Sequence, residues 1–229
     1  MSPLTLLRAV FYKEAVKLRL PALVLLLFNA VFLAWMFVDV RHLFRLDHPE
    51  VVWYRVIGLG QVPYDAITFI PLLSGLLFAC IQFLPEMRDE RLRLSLHLPV
   101  GSNSVILAHL AAGLLGLGLL YLCNVAFLVW TTLHFFPYNV LSSMLLTYLP
   151  WLMAGLIGYL GLTLALLEPG LRQRVFNLLL TAGLIIPLYE TADPGAYAPT
   201  LPVFSLVPLL LLLAVLLPAY HFRHRRVEG

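Results

Sequence analysis

The sequence predicts an all-α membrane protein, and three observations carry that prediction. Of its 229 residues, 61% are apolar and 12% charged, against about 45 to 50% and about 25% in soluble domains. The apolar residues gather into runs close to the roughly 20 residues that cross a hydrocarbon core of about 30 Å. The basic residues concentrate between alternate runs. A mean hydropathy of +0.91 with a net charge of only +3 excludes a disordered chain. The two cysteines, Cys80 and Cys123, lie inside apolar runs, which gives no support to a disulfide framework and reads them as small buried residues.

The N-terminal residues 1–20 show no cleavable signal pattern, so the first apolar span is expected to be retained as signal and anchor. Leu4, Leu7, Phe11, Ala15 and Leu18 recur at helical spacing, with Lys13 and Lys17 on another side and Ser2-Pro3 placed as N-cap and first-turn residues. This stripe predicts an interfacial helix lying in the membrane surface, separated from the first span by Pro21. Leu6, Val10 and Val16 fall off the stripe, and the alternative is a cytoplasmic extension of that span.

Six spans follow within residues 21–220: Pro21 to Val38, Ala66 to Phe83, Val105 to Trp130, Leu141 to Leu167, Val175 to Tyr189 and Phe204 to Tyr220. Pro71, Pro150 and Pro208 imply kinks, which neighbouring helices and hydroxyls make tolerable in a bilayer. Ala112 with Gly116, and Ala154 with Gly158, place small residues one turn apart beside Gly113, Gly118, Gly155 and Gly161, so these faces are expected to pack closely within the chain. With the N-terminus inside, inner segments hold four, three, two and three Lys or Arg and the outer ones only Arg41, Arg45 and Arg55. Positive charge favours the cytoplasmic side, so both termini are expected there, the last as a basic tail over 221–229.

The inner loop at 84–104 is the longest of its kind. Glu86, Arg88, Asp89, Glu90 and Arg91 mix both charge signs, and Leu92, Leu94, Leu96 and Leu98 follow before Pro99. So much leucine rimmed with charge predicts a protein contact, or else a loop capping its own bundle. The leucines alternate with period two, yet a lone strand would leave its backbone unpartnered, so Glu86 to about Leu98 is read as mainly helical.

With the surface helix, six spans and the loop running into Leu96-His97-Leu98-Pro99-Val100, the chain resembles a permease subunit of the type-2 ABC exporter family. That family often has Gly-Thr where this chain has Glu90-Arg91, and Lys where it has His109. The resemblance implies that the loop is a coupling helix seated on an ATP-binding subunit. Glu86, Arg88, Asp89, Glu90, Arg91, Leu92, Leu96, Leu98 and Pro99 would then transmit the ATPase stroke. It also implies two ATP-binding subunits carrying ATP and Mg, a second permease copy or homologous permease, a bacterial cytoplasmic (inner) membrane, and a lipidic, amphipathic or haem-like cargo. Residues 190–203 would re-enter the outer leaflet and set Tyr189, Glu190 and Asp193 near an outer gate, although composition alone equally allows a plain outer loop.

The chain has no G-x-x-x-x-G-K-[ST], so it lacks the usual cradle for nucleotide phosphates, and no H-E-x-x-H, C-x-x-C or G-x-S-x-G. Neither a catalytic residue nor a bound cofactor or metal is expected in this chain. His221 and His224 sit among arginines that repel cations and read as a solvated tail touching anionic lipid. His109 reads as a packing or interfacial histidine. Asn124, Asn177, Thr181 and Gln82 read as hydrogen-bonding glue between helices. Asn124, Asn177 and Thr181, with Tyr189 and Glu190, are also candidates for a translocation path or gate. The outer segments collect Asp39, Asp47, Glu50, Asp65, Glu190 and Asp193, which disfavours nucleic acid. The rival class is a non-transporting scaffold or assembly subunit.

Overall fold

The computed structural model describes residues 3–88, 101–191, 193 and 195–218. Among the described residues there is no strand. The helices are α1 (Pro3–Leu46), α2 (Pro49–Trp53), α3 (Ile70–Arg88), α4 (Ser102–Phe135), α5 (Asn139–Leu167), α6 (Leu171–Ile185) and α7 (Leu201–Ala214). Single turns extend or link them: a π turn at Tyr54–Gly58 and 3-10 turns at Asp65–Ile67 and Ile186–Tyr189. Six stretches are long and apolar enough to cross a membrane: Leu7–Leu46, Asp65–Met87, Asn103–Phe135, Asn139–Leu167, Leu171–Tyr189 and Leu201–Pro218. The chain thus has the character of a multi-pass, all-α membrane protein.

The expected break at Pro21 is not observed. Helix α1 passes through Pro21 without interruption, so residues 3–20 belong to the same helix as the first span rather than to a separate surface helix. Proline removes one backbone hydrogen bond, whereas a continuous packed stripe runs along both sides of it. Val10, Glu14, Leu18, Leu25, Asn29, Leu33, Met36 and Val40 are all buried, at spacings that stay on one helical face. This stripe is rotated from the one read in the sequence, since Val10 is buried and Ala15 is exposed. Glu14 and Asn29 belong to the buried face, and a count of apolar residues passes over them.

Helix α5 is the most buried of the six and occupies the centre. It packs most extensively on α3, with α6 and α7 on other flanks, while α1 lies along α4. The α3–α5 crossing is close because Gly75 and Gly155 face each other: a Cβ on Gly75 would strike the Gly155 carbonyl oxygen, and one on Gly155 would strike the Pro71 carbonyl oxygen and the Tyr121 hydroxyl. Gly113, Gly116, Gly158 and Gly161 likewise meet atoms of this same chain, as expected for small-residue faces. Gly118 meets nothing within 4 Å.

Two apolar cores result. The inner one contains Leu18, Leu25, Phe78, Phe83, Leu110, Leu117, Leu160 and Leu164. The outer one contains Leu33, Met36, Val56, Tyr64, Ile67, Leu128, Met144 and Trp151. Between them in the order of α1, α3 and α4 lie Asn29, Ser74 and Asn124, all fully buried. At the opposite end from Leu18 and Phe83, Phe37, Phe44, Trp130, His134 and Phe135 pack ring against ring, stacked or edge-on, a cluster suited to a headgroup boundary. The Trp53 indole donates to the Phe135 carbonyl at 3.1 Å. Gly60 closes the turn after the π segment with φ 65°, a conformation that glycine adopts at least cost.

Candidate functional site

At the end of the bundle where α3 stops, a buried polar knot forms. Gln82 of α3 is its junction: its amide donates to the His109 carbonyl at 2.7 Å and to Glu14 Oε2 at 3.4 Å, and its oxygen accepts from the Tyr159 hydroxyl at 2.8 Å. One side chain therefore ties α3 to α1, α4 and α5. Gly113 makes room for this junction, because a Cβ there would collide with Tyr159 Oη and Gln82 Oε1.

The charged part adjoins it. Lys17 Nζ lies 3.2 Å from each Glu14 carboxylate oxygen, 2.8 Å from Glu86 Oε1 and 3.0 Å from the Gln82 carbonyl oxygen. Lys13 Nζ is 3.5 Å from Glu86 Oε1. Glu14 and His109 are 0% exposed and Glu86 is 1% exposed, whereas the Lys17 and Lys13 side chains are 23% and 49% exposed. The carboxylates are thus interior and the amines form the rim. Isolated buried carboxylates would be very costly, so the lysines are required to hold them. His109 Nδ1 stands 4.0 Å from Glu14 Oε1, beyond hydrogen-bond range, and among the described residues neither ring nitrogen has a hydrogen-bond partner, nor does Glu86 Oε2. Glu14, Glu86 and His109 together offer ligand atoms all within 4.8 Å of one another.

Of the residues expected to couple to an ATPase, Glu86 is in this knot. Arg88 is the last residue of α3, and Asp89, Glu90, Arg91, Leu92, Leu96, Leu98 and Pro99 lie outside the described residues, as does the expected helix over that loop. His221 and His224 lie outside them as well. Sequence reading passed over Glu14 and Lys17 as a pair. Their i, i+3 spacing, facing Glu86 across two apolar helices, was the available signal.

The expected path residues sit in several different settings. Asn124 donates to Asn29 Oδ1 at 2.8 Å, and Asn29 donates to Ser74 Oγ at 2.9 Å and to the Leu25 carbonyl at 2.8 Å. Asn124 and the Tyr148 hydroxyl are buried as neighbours. Thr181 donates to the Asn177 carbonyl at 2.7 Å, within α6, and its side chain faces Gly161 of α5. Tyr189 stacks on Phe69 with ring centroids 4.9 Å apart, and Glu190 is exposed. Beyond it, the Tyr197 hydroxyl donates to the Pro187 carbonyl at 2.7 Å and accepts from Thr191 N at 3.1 Å. This fastens residues 195–200, a run of turns, to the end of α6. A cavity of about 490 Å³ at the outer end is lined by Arg55, Gln61, Asp65 and Asp193 among others. Arg55 pairs with Asp47 at 2.7 Å.

No family model matches the chain, and neither does any curated protein or solved structure compared with it.

Proposed function

We propose that the chain is the membrane-spanning permease subunit of an ATP-driven exporter of the type-2 ABC kind, working as a pair with itself or a similar chain in a bacterial inner membrane. Two copies of a separate ATP-binding subunit would bind the loop that follows Glu86. One observation carries this reading: the helix end from which that loop departs is fastened to three other helices. Glu86 and Gln82 join α3 to α1 through Lys17 and Glu14, to α4 through the His109 carbonyl, and to α5 through Tyr159. A force applied to the loop therefore acts on four helices together, which rocking of a bundle requires. ATP hydrolysis stays on the partner, and the cargo class remains lipidic, amphipathic or haem-like.

The test is purification in mild detergent with identification of whatever accompanies the chain, repeated with residues 89–98 scrambled. Residues up to 88 stay unchanged because Glu86 is part of the core. Co-purification of an ATP-binding protein, lost on scrambling, supports the reading. In the coupled complex, Glu90→Arg and Leu96→Asp are expected to lower transport-linked ATPase activity at least about tenfold, and Glu86→Gln to lower it while leaving the partner bound. Retention of other membrane proteins only, with no ATPase, would favour a scaffold subunit instead.

A further inference from the structure

We propose that Glu14, Glu86 and His109 form a binding site for one divalent transition-metal ion of the zinc class, and that Lys17 is its built-in competitor. The chemistry begins with what Lys17 does now. Its ammonium is held by both Glu14 oxygens, Glu86 Oε1 and the Gln82 carbonyl, all within 3.2 Å. This is an oxygen cage already built around a cation.

The second observation is independent of the acids. His109 is fully buried, and neither of its ring nitrogens has a hydrogen-bond partner among the described residues. An imidazole with both nitrogens unsatisfied is rare in a packed interior, where buried polar groups are nearly always paired. Its Nδ1 faces Glu14 Oε1 at 4.0 Å, and Glu86 Oε2 is equally unsatisfied. A metal would satisfy His109 Nδ1 and the open Glu86 oxygen together. Tetrahedral bonds of about 2.1 Å place ligands about 3.4 Å apart, so the Glu14–His109 gap closes by roughly half an ångström.

One imidazole with two carboxylates suits zinc, manganese, iron or cobalt better than magnesium or calcium, which prefer all-oxygen shells. Charge also balances: a dication matches the two carboxylates while His109 remains neutral, and Lys17 is released. Lys17 is partly exposed on a flexible stem and can swing toward headgroups, giving the ion its entry path. The site uses ligands of this chain alone and holds whether or not the loop drives transport. It departs from the sequence expectation that the chain binds no metal.

The experiment uses the full chain in detergent, stripped with chelator and carrying His221→Ala and His224→Ala to remove the tail histidines. Zinc is titrated calorimetrically, and cobalt by its visible absorption. The expected result is one ion per chain, with affinity raised at least about tenfold by Lys17→Met and lowered at least about tenfold by Glu14→Gln or His109→Ala. Lys17→Met keeps every ligand, and Lys17→Gln, which removes the charge but keeps an amide donor toward Glu14 and Glu86, gives the same cobalt readout where Lys17→Met or a ligand variant folds poorly. A spectrum lacking a nitrogen ligand, binding indifferent to Lys17→Met, or zinc taken up by Lys17→Met but not by the native chain would each overturn the proposal.

Discussion

At the scale of single residues, the load in this molecule falls on polar groups rather than on the apolar ones that make up most of it. Gln82→Ala would strand the Tyr159 hydroxyl and take the Gln82 amide away from the His109 carbonyl and from Glu14, which keeps Lys17, and leaving a buried polar group unmatched costs about 1 to 3 kcal/mol. Glu86→Gln removes one charge-assisted bond but keeps the shape, and Lys17 retains Glu14 and the Gln82 carbonyl. Partial exposure of Lys17 reduces that loss to about 1 kcal/mol. Thermal unfolding in detergent should therefore rank Gln82→Ala, at about 2 to 3 kcal/mol, above Glu86→Gln, although a count of charges ranks them the other way. Tyr64 supplies a second prediction. It is 1% exposed, its hydroxyl is 2.6 Å from Thr132 Oγ1, and burial, partly offset by that bond, pushes its pKa up to about 12. A raised pKa means that the folded state favours the neutral phenol. The associated stability is whole below about pH 10, where the unfolded tyrosine titrates, and is lost as pH rises from there through about 12. Wild-type protein should therefore lose about 2 to 3 kcal/mol more than Tyr64→Phe across that window, read as unfolding temperature against pH.

At the scale of elements, glycine separates helices that must touch from helices that merely lie near. Gly155→Leu would drive a side chain into the Pro71 carbonyl and Tyr121 hydroxyl at the α3–α5 crossing. Overpacking costs about 1 to 3 kcal/mol where neighbours can shift, and backbone cannot, so the upper end or complete loss of folded protein is expected. Gly118→Ala meets nothing within 4 Å and should leave stability equal or raise it by up to about 1 kcal/mol through helix propensity. Yield of monodisperse protein and its unfolding temperature distinguish the two. The glycines also show what the sequence made legible. Apolar runs marked the six spans because length and hydropathy alone decide whether a helix can cross a bilayer, and the small-residue pairs marked close faces. Which glycine meets which helix depends on rotations that no local pattern contains. Continuity of α1 stood only as the alternative reading for a related reason: Pro21 is a local signal for a break, whereas the stripe from Val10 to Val40 that overrides it becomes visible only when Glu14 and Asn29 count as interior residues. The polar knot was half legible. Glu86 and Gln82 stood out, but their partners lie 68 or more positions away in sequence for Glu14 and 77 for Tyr159.

At the scale of the whole molecule, orientation decides whether the knot can serve the proposed function. Lys13, Lys17, Glu86 and the ends of the inner loop lie at one end of the bundle, and Arg55, Asp47 and the outer cavity belong to the other. The Arg174 guanidinium donates to the Glu168 carbonyl at 2.9 Å, closing the α5–α6 turn at the same end as the knot. Positive residues favour the cytoplasmic side, so the knot is expected to face the cytoplasm, where an ATPase could reach the loop. The fold turns this into a labelling experiment, because Tyr138, the N-cap of α5, and Gln173, in the first turn of α6 just past the other end of α5, are both exposed. In a background with Cys80→Ala and Cys123→Ala, Gln173→Cys should resist a membrane-impermeant thiol reagent in intact cells and react after permeabilisation. Tyr138→Cys should react in both. The reversed pattern would put residues 89–100 on the outer face and end the exporter proposal, while leaving the metal proposal intact, since its ligands come from within the bundle whichever way the bundle points.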